Sequence, residues 1–187
     1  MDTRRDPGLP RNAIYGKASW ERLWFGANRS KATAGVNARE PYTGAASRTD
    51  IDAHGYVGLL GQSVLAVRAQ RRDSDRPLPP YLQPLLGGAA NVRGFAAGTA
   101  IGDTLVATSA ELVLPLSSPI SVGRMGVSLF VDTGTVYAKG ERFADQTMKR
   151  GYGASVWFTA AFLRLNVAVA HGRGSSTRVH VGGNVSF

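Results

Sequence analysis

The 187-residue sequence contains no cysteine. That single absence removes disulfides, thiolate metal sites and cysteine nucleophiles. Acidic residues are few, 13 against 22 lysines and arginines, for a net charge of +9. No run of about 18 apolar residues occurs, which excludes a transmembrane helix. Residues 1–12, MDTRRDPGLPRN, are charged and turn-rich, so no secretory signal is read there. Helix signals are nearly missing too, because glycine, 23 in all, interrupts almost every window long enough to form one. The positive charge raises nucleic-acid binding as a possibility. The cations are scattered, however, with no zinc spacing and no basic helix. Polar loops and a polar interior account for them, and no nucleic-acid partner is expected.

What is present is alternation. Val179, Val181, Val185 and Phe187 share one face at the C-terminus, with Arg178, His180 and Asn184 on the other. Leu163 to Val169 alternates apolar residues with Arg164, Asn166, Ala168 and Ala170. Six further stretches follow the same period of two: Ala13–Phe25, Ser47–Leu60, Ser63–Arg71, Thr104–Leu116, Met125–Tyr137 and Tyr152–Phe162. The expectation is an all-β chain of about eight antiparallel strands, forming a single domain over residues 1–187. Each strand is about long enough to cross a bilayer with tilt.

Antiparallel pairing of these strands makes one face apolar. The other carries Arg48, Asp50, Asp52, His54, Arg68, Glu111, Asp132, Arg164 and Arg178. A soluble ligand-binding barrel would turn the apolar face inward. Two features favour the inverse arrangement, a transmembrane β-barrel. The apolar face is padded with Gly, Ala and Thr, too thin to fill a close-packed core. Trp20, Trp24, Phe25, Tyr137, Tyr152 and Trp157 cluster near strand ends, as in an interfacial girdle. Loop lengths also alternate. Short turns fall near 60–62, 117–119 and 160–162, and longer connections at 26–44, 72–103, 138–150 and 172–177.

The long connection holds Val92-Arg93-Gly94-Phe95, preceded by a Gly-Gly pair. A connection of that length without a secondary-structure signal is usually functional or disordered. Downstream comes Phe130-Val131-Asp132-Thr133-Gly134, in which alternation puts Phe130, Asp132 and Gly134 on the polar face. A carboxylate there is costly unless paired. Arg93 is the partner a distinctive motif offers, provided that the loop folds back.

The order VRGF, strand, FVDTG, then three strands ending in Phe resembles the BamA/TamA outer-membrane assembly family of bacterial-surface-antigen type. The opening DTRRDPGLPRNA is similar to a segment that starts a mid-barrel strand there. The likeness covers essentially the whole chain and matches the C-terminal half of a sixteen-stranded barrel. It implies a loop tip turned into the lumen, with Arg93 contacting Asp132, and Val92, Gly94, Phe95, Phe130 and Gly134 supporting the contact. It also implies that Val181, Val185 and Phe187 form the signal read by the barrel assembly machinery. No POTRA domain is read in these residues. Function by resemblance is protein insertion or polypeptide translocation in the bacterial outer membrane, with lipid and a polypeptide client as partners. A structural or porin-like barrel without client handling is the alternative.

Enzymatic chemistry has no foothold. His54, His171 and His180 lack metal-ligand spacing, Asp50 and Asp52 form a same-face carboxylate pair that reads as part of a solvated lumen, and no G-x-S-x-G occurs. No catalytic residue, metal or cofactor is expected. An eight-stranded closed barrel has room for little beyond its own side chains. If these residues are a mature protein and not a fragment, a homodimer closing sixteen strands, with the last strand of one copy beside the first of another, is therefore expected in place of a small self-closed barrel, to accommodate the inward loop.

Overall fold

The computed structural model describes residues 1–4, 10–25, 44–116, 123–160 and 163–185. Eight long strands make one antiparallel sheet: β1 (Ala13–Phe25), β2 (Gly44–Gly58), β3 (Val64–Ser74), β6 (Thr104–Leu116), β7 (Gly123–Tyr137), β8 (Lys149–Ala160), β9 (Leu163–Gly172) and β10 (Thr177–Val185). Each pairs with its neighbour in chain order. Two short strands, β4 (Leu85–Leu86) and β5 (Ala100–Ile101), pair with each other inside the connection between β3 and β6. The sequence offers no signal for that small ladder, because two residues cannot display a period. Among the described residues, no helix is long and apolar enough to cross a membrane.

The chain is all-β, with the polarity turned inside out. On β7, Val131 is 57% exposed while the adjacent Asp132 is 0% exposed. The same inversion recurs along the sheet. Leu129, Val156, Val167, Val169, Val179 and Val181 are exposed, whereas Ser128, Phe130, Ser155, Ala168 and Ala170 are buried. Side chains alternate across a strand, so each exposed apolar residue belongs to the outer face. That face has the chemistry of a lipid-facing band. Buried apolar side chains gather into two clusters, of which the first joins the loop to the sheet. Leu86, Val92, Phe95, Leu105 and Ala107 form one cluster, and Phe130, Ala168 and Ala170 a second.

No ladder among the described residues joins β1 to β10. The free edge of β1 is occupied over its first residues by Met1–Thr3. There the Met1 amino group donates to the Gly16 carbonyl (2.9 Å), and Thr3 N donates to Ile14 O (3.0 Å). Arg4 bonds the Asp2 carboxylate through two nitrogens and lies over the Tyr15 ring. Its guanidinium holds the Asp2 carboxyl down at about 2. Arg11 donates to the carbonyls of Leu59 and Gly61, fastening the β2–β3 turn.

Candidate functional site

The connection from Asp75 to Asp103 folds over the polar face of the sheet. Its base is pinned by Asp103, whose carboxylate accepts from Leu78 N (2.9 Å), Gln83 Nε2 (3.0 Å) and Lys139 N (2.9 Å). Asn91 shapes the tip: Oδ1 accepts from Gly87 N and Val92 N, while Nδ2 donates to Leu85 O. Val92 and Phe95 then sink into the apolar cluster beneath. The residue between them and Gly94 is left to face the wall.

That residue is Arg93, 13% exposed, opposite the fully buried Asp132. Its backbone N and Nε donate to Asp132 Oδ2 at 3.0 and 2.7 Å, and Nη2 donates to Oδ1 at 2.8 Å. Nη1 donates to Glu111 Oε2 at 2.9 Å. Ser109 Oγ adds a further donor to Asp132 Oδ1 (2.7 Å) and accepts from Arg93 Nη2. The guanidinium carbon lies 3.3 Å from the centroid of the Phe130 ring. Burial works against the arginine's charge, yet Asp132 and Glu111 beside it hold its pKa above the ordinary value. The arrangement is a planar cation held by two carboxylates, the bidentate geometry at which guanidinium excels.

Two glycines let the tip come this close. Gly94 has φ +92°, and a Cβ there would meet the backbone of His171 and Gly172. A Cβ at Gly151 would collide with the Arg93 carbonyl oxygen. Gly134 sits beneath Val92, where a Cβ would come within 2.9 Å of its Cγ2.

The tip has two flanking contacts. On one side, Arg68 of β3 binds Asp52 through Nε and Nη2 and donates from Nη1 to Ala90 O (2.9 Å). His54 leans on the same Asp52 carboxylate (3.0 Å). On the other side, Gly94 N donates to His180 Nε2 (3.1 Å), reaching the last strand. One loop tip thus bonds to side chains of β3 and β10, so the polar face curls around it. A cavity of ≈ 270 Å³ remains beside the tip, lined by His54, Tyr56, Arg68, Glu111, Asp132 and Arg164 among others.

From Glu111 a line of hydrogen bonds crosses the wall. Ser128 Oγ donates to Glu111 Oε1 (2.6 Å), which leaves Ser155 Oγ to donate to Ser128 Oγ (2.6 Å), and Asn166 Nδ2 donates to Ser155 Oγ (3.3 Å). The line runs from β6 through β7 and β8 to β9.

The structure therefore brings together Val92, Arg93, Gly94, Phe95, Phe130, Asp132 and Gly134. Sequence reasoning placed Glu111 on the polar face but did not pair it with Arg93, and it overlooked Ser109, Arg68 and His180 as contacts. The signal for Ser109 was register, since it stands directly across from Asp132. Val181 is on the exposed outer face. The side chain of Val185, and Phe187 altogether, lie outside the described residues, as do residues 5–9 of the opening segment. Among the described residues, no group of three or more histidines and carboxylates is placed to hold a metal.

No curated protein matches the chain. The Omp85 superfamily domain matches residues 17–182. That span runs from the first strand to the last and takes in the loop and the wall it meets. An apolar outer face, a polar inner one and a match over nearly all of the chain lead to one conclusion: the protein belongs to the Omp85 superfamily, whose members are β-barrel proteins of the outer membrane.

Proposed function

We propose that the protein handles polypeptide clients at the outer membrane, either inserting them or passing them across. The loop tip acts as a fastened plug element within the barrel. The observation that carries this reading is the Arg93 contact with Asp132 and Glu111. A structural loop on a passive barrel has no need of a buried cation shared by two carboxylates, because such groups are costly to desolvate. Superfamily membership supports the reading at the level of protein insertion and translocation.

The test is reconstitution of the purified chain into liposomes, followed by addition of a urea-unfolded outer-membrane barrel as client. Faster appearance of the heat-modifiable, protease-resistant client than in empty liposomes is the expected result, with Arg93→Ala losing most of the gain. Ion conductance without any gain in client folding or passage would identify a porin-like barrel instead.

A second element of the proposal is closure by a second copy. It is favoured by one observation: β1 beyond its first residues and β10 each present an edge without a partner among the described strands. Unpaired backbone groups are not tolerated in hydrocarbon. Where no further strand precedes β1 in the mature protein, β10 of one copy fits antiparallel beside β1 of another, closing sixteen strands around two inward loops.

A further inference from the structure

None of the 13 acidic residues lies beyond Asp145. The last three strands and their turns carry Lys149, Arg150, Arg164, Arg173 and Arg178 instead. Two of these cations stand together. The β8–β9 ladder pairs Gly151 with Gly172, and Arg173 N donates to Arg150 O (2.8 Å) one step further out. Arg150 and Arg173 are therefore cross-strand neighbours. Arg150, two residues before Tyr152, falls on the outer face by alternation, and Arg173, in the turn just after β9, lines the same groove beside His171, whose ring is 5.6 Å from that of Tyr152. Both are exposed, and neither has a carboxylate partner among the described residues. Like charges directly opposite one another destabilise a sheet. An anion between them would reverse that sign.

The surroundings specify the anion. A groove of ≈ 490 Å³ is lined by Arg150, Arg173, His171, Gly174, Tyr152 and Val131. A second groove, ≈ 630 Å³ and almost wholly apolar, shares Val131 and Tyr152 with the first and continues along Leu112, Leu129 and Val169. The cations thus sit at the long-loop end of the strands. An apolar track leads away from them down the lipid-facing wall. In an outer-membrane barrel the long loops are extracellular, so the pair lies at headgroup height of the outer leaflet. A free phosphate would satisfy the arginines but leave the track empty. An uncharged acyl chain would fill the track but leave the arginines facing each other.

We propose that Arg150 and Arg173 form the headgroup seat for a phosphorylated lipid of the outer leaflet, with an acyl chain lying in the groove over Val131 and Leu129. Guanidinium groups bind phosphate oxygens in a planar, bidentate fashion that suits two adjacent arginines.

The test uses the full chain in neutral detergent, with diphosphoryl lipid A as probe and native mass spectrometry as readout. Dephosphorylated lipid A, phosphatidylcholine and inorganic phosphate are the comparison ligands. Diphosphoryl lipid A should bind most tightly. Arg150→Ser or Arg173→Ser should weaken it roughly five-fold each and the pair roughly twenty-five-fold. Arg142→Ser, which removes an exposed cation already paired with Asp145, should leave it unchanged. Heat-modifiable mobility checks that each variant is folded, and Arg150→Lys with Arg173→Lys keeps the charge if a serine variant is not. Equal affinity for the paired serine variant would overturn the proposal. So would equal binding of dephosphorylated lipid A, which would mean an apolar contact only. Full displacement by millimolar inorganic phosphate would mean a free-anion site and would also overturn it.

Discussion

Replacing Arg93 by alanine should release the loop tip, and the loss should exceed that from replacing Asp132. With Arg93 gone, Asp132 retains, among the described residues, the Ser109 hydroxyl and the position-93 amide as donors, in a site with no solvent exposure. A buried charge stripped of its partner costs about 3–5 kcal/mol. Asp132→Ala is milder, because Arg93 still reaches Glu111 Oε2 at 2.9 Å; about 2 kcal/mol is expected, the worth of hydrogen bonds to a charged group. The double variant has neither the cation nor the fully buried carboxylate, and Glu111 keeps Ser128 as a donor. Its loss should not exceed that of Arg93→Ala alone, giving a coupling of about 2 kcal/mol. Hydrogen exchange of amides 88–99 in detergent micelles reads the opening equilibrium directly. A loss of about 4 kcal/mol accelerates exchange by roughly three orders of magnitude. Strictly additive losses, or a larger effect from Asp132→Ala, would refute this account of the contact.

Gly151→Ala should displace the tip even with Arg93 intact, since the new methyl meets the Arg93 carbonyl; proteolysis of the loop should then approach the rate seen in Arg93→Ala. His180→Ala removes the acceptor of Gly94 N and should cost about 1 kcal/mol of loop protection, with no effect on exchange at Ala90 on the far side. The Asp2–Arg4 pair should survive acid: its contribution is present above the usual carboxylate range and is lost as pH falls through about 2, which a carboxyl-detected NMR titration measures. A cysteine pair at Ser19 and Gly183 should crosslink between chains in membranes; crosslinks formed only within one chain would exclude closure by a second copy.

Strands were legible because a half-lipid, half-polar wall writes its period into the side chains. Ala13–Phe25 and Thr104–Leu116 coincide with β1 and β6 to the residue. β8 starts three residues before the alternating stretch from Tyr152, because Lys149 and Arg150 read as loop while their backbones continue the ladder. The interior of the long connection was not legible. Its order comes from Asp103 binding backbone groups far along the chain and Asn91 binding backbone groups close by, a geometry that leaves no periodicity. The resemblance directed attention to Arg93 and Asp132. Finding Ser109 and Glu111 beside them required register, since alternation gives a residue's face but not its neighbour across the strands. His180 was out of reach for a further reason: its contact with Gly94 exists only because the sheet curls.

The line of hydroxyls from Glu111 to Asn166 has a mechanical consequence. It crosses four strands obliquely, starting beside Arg93 at Glu111 and stepping two residues along the sheet to Ser128 and two more from Ser155 to Asn166. Tension applied to the tip is therefore shared among β6, β7, β8 and β9 instead of bending β7 alone. The wall should be stiffest along this line and more compliant in the strands outside it. Withdrawal of the loop under load should accordingly occur as one abrupt rupture and not as gradual peeling of a single strand.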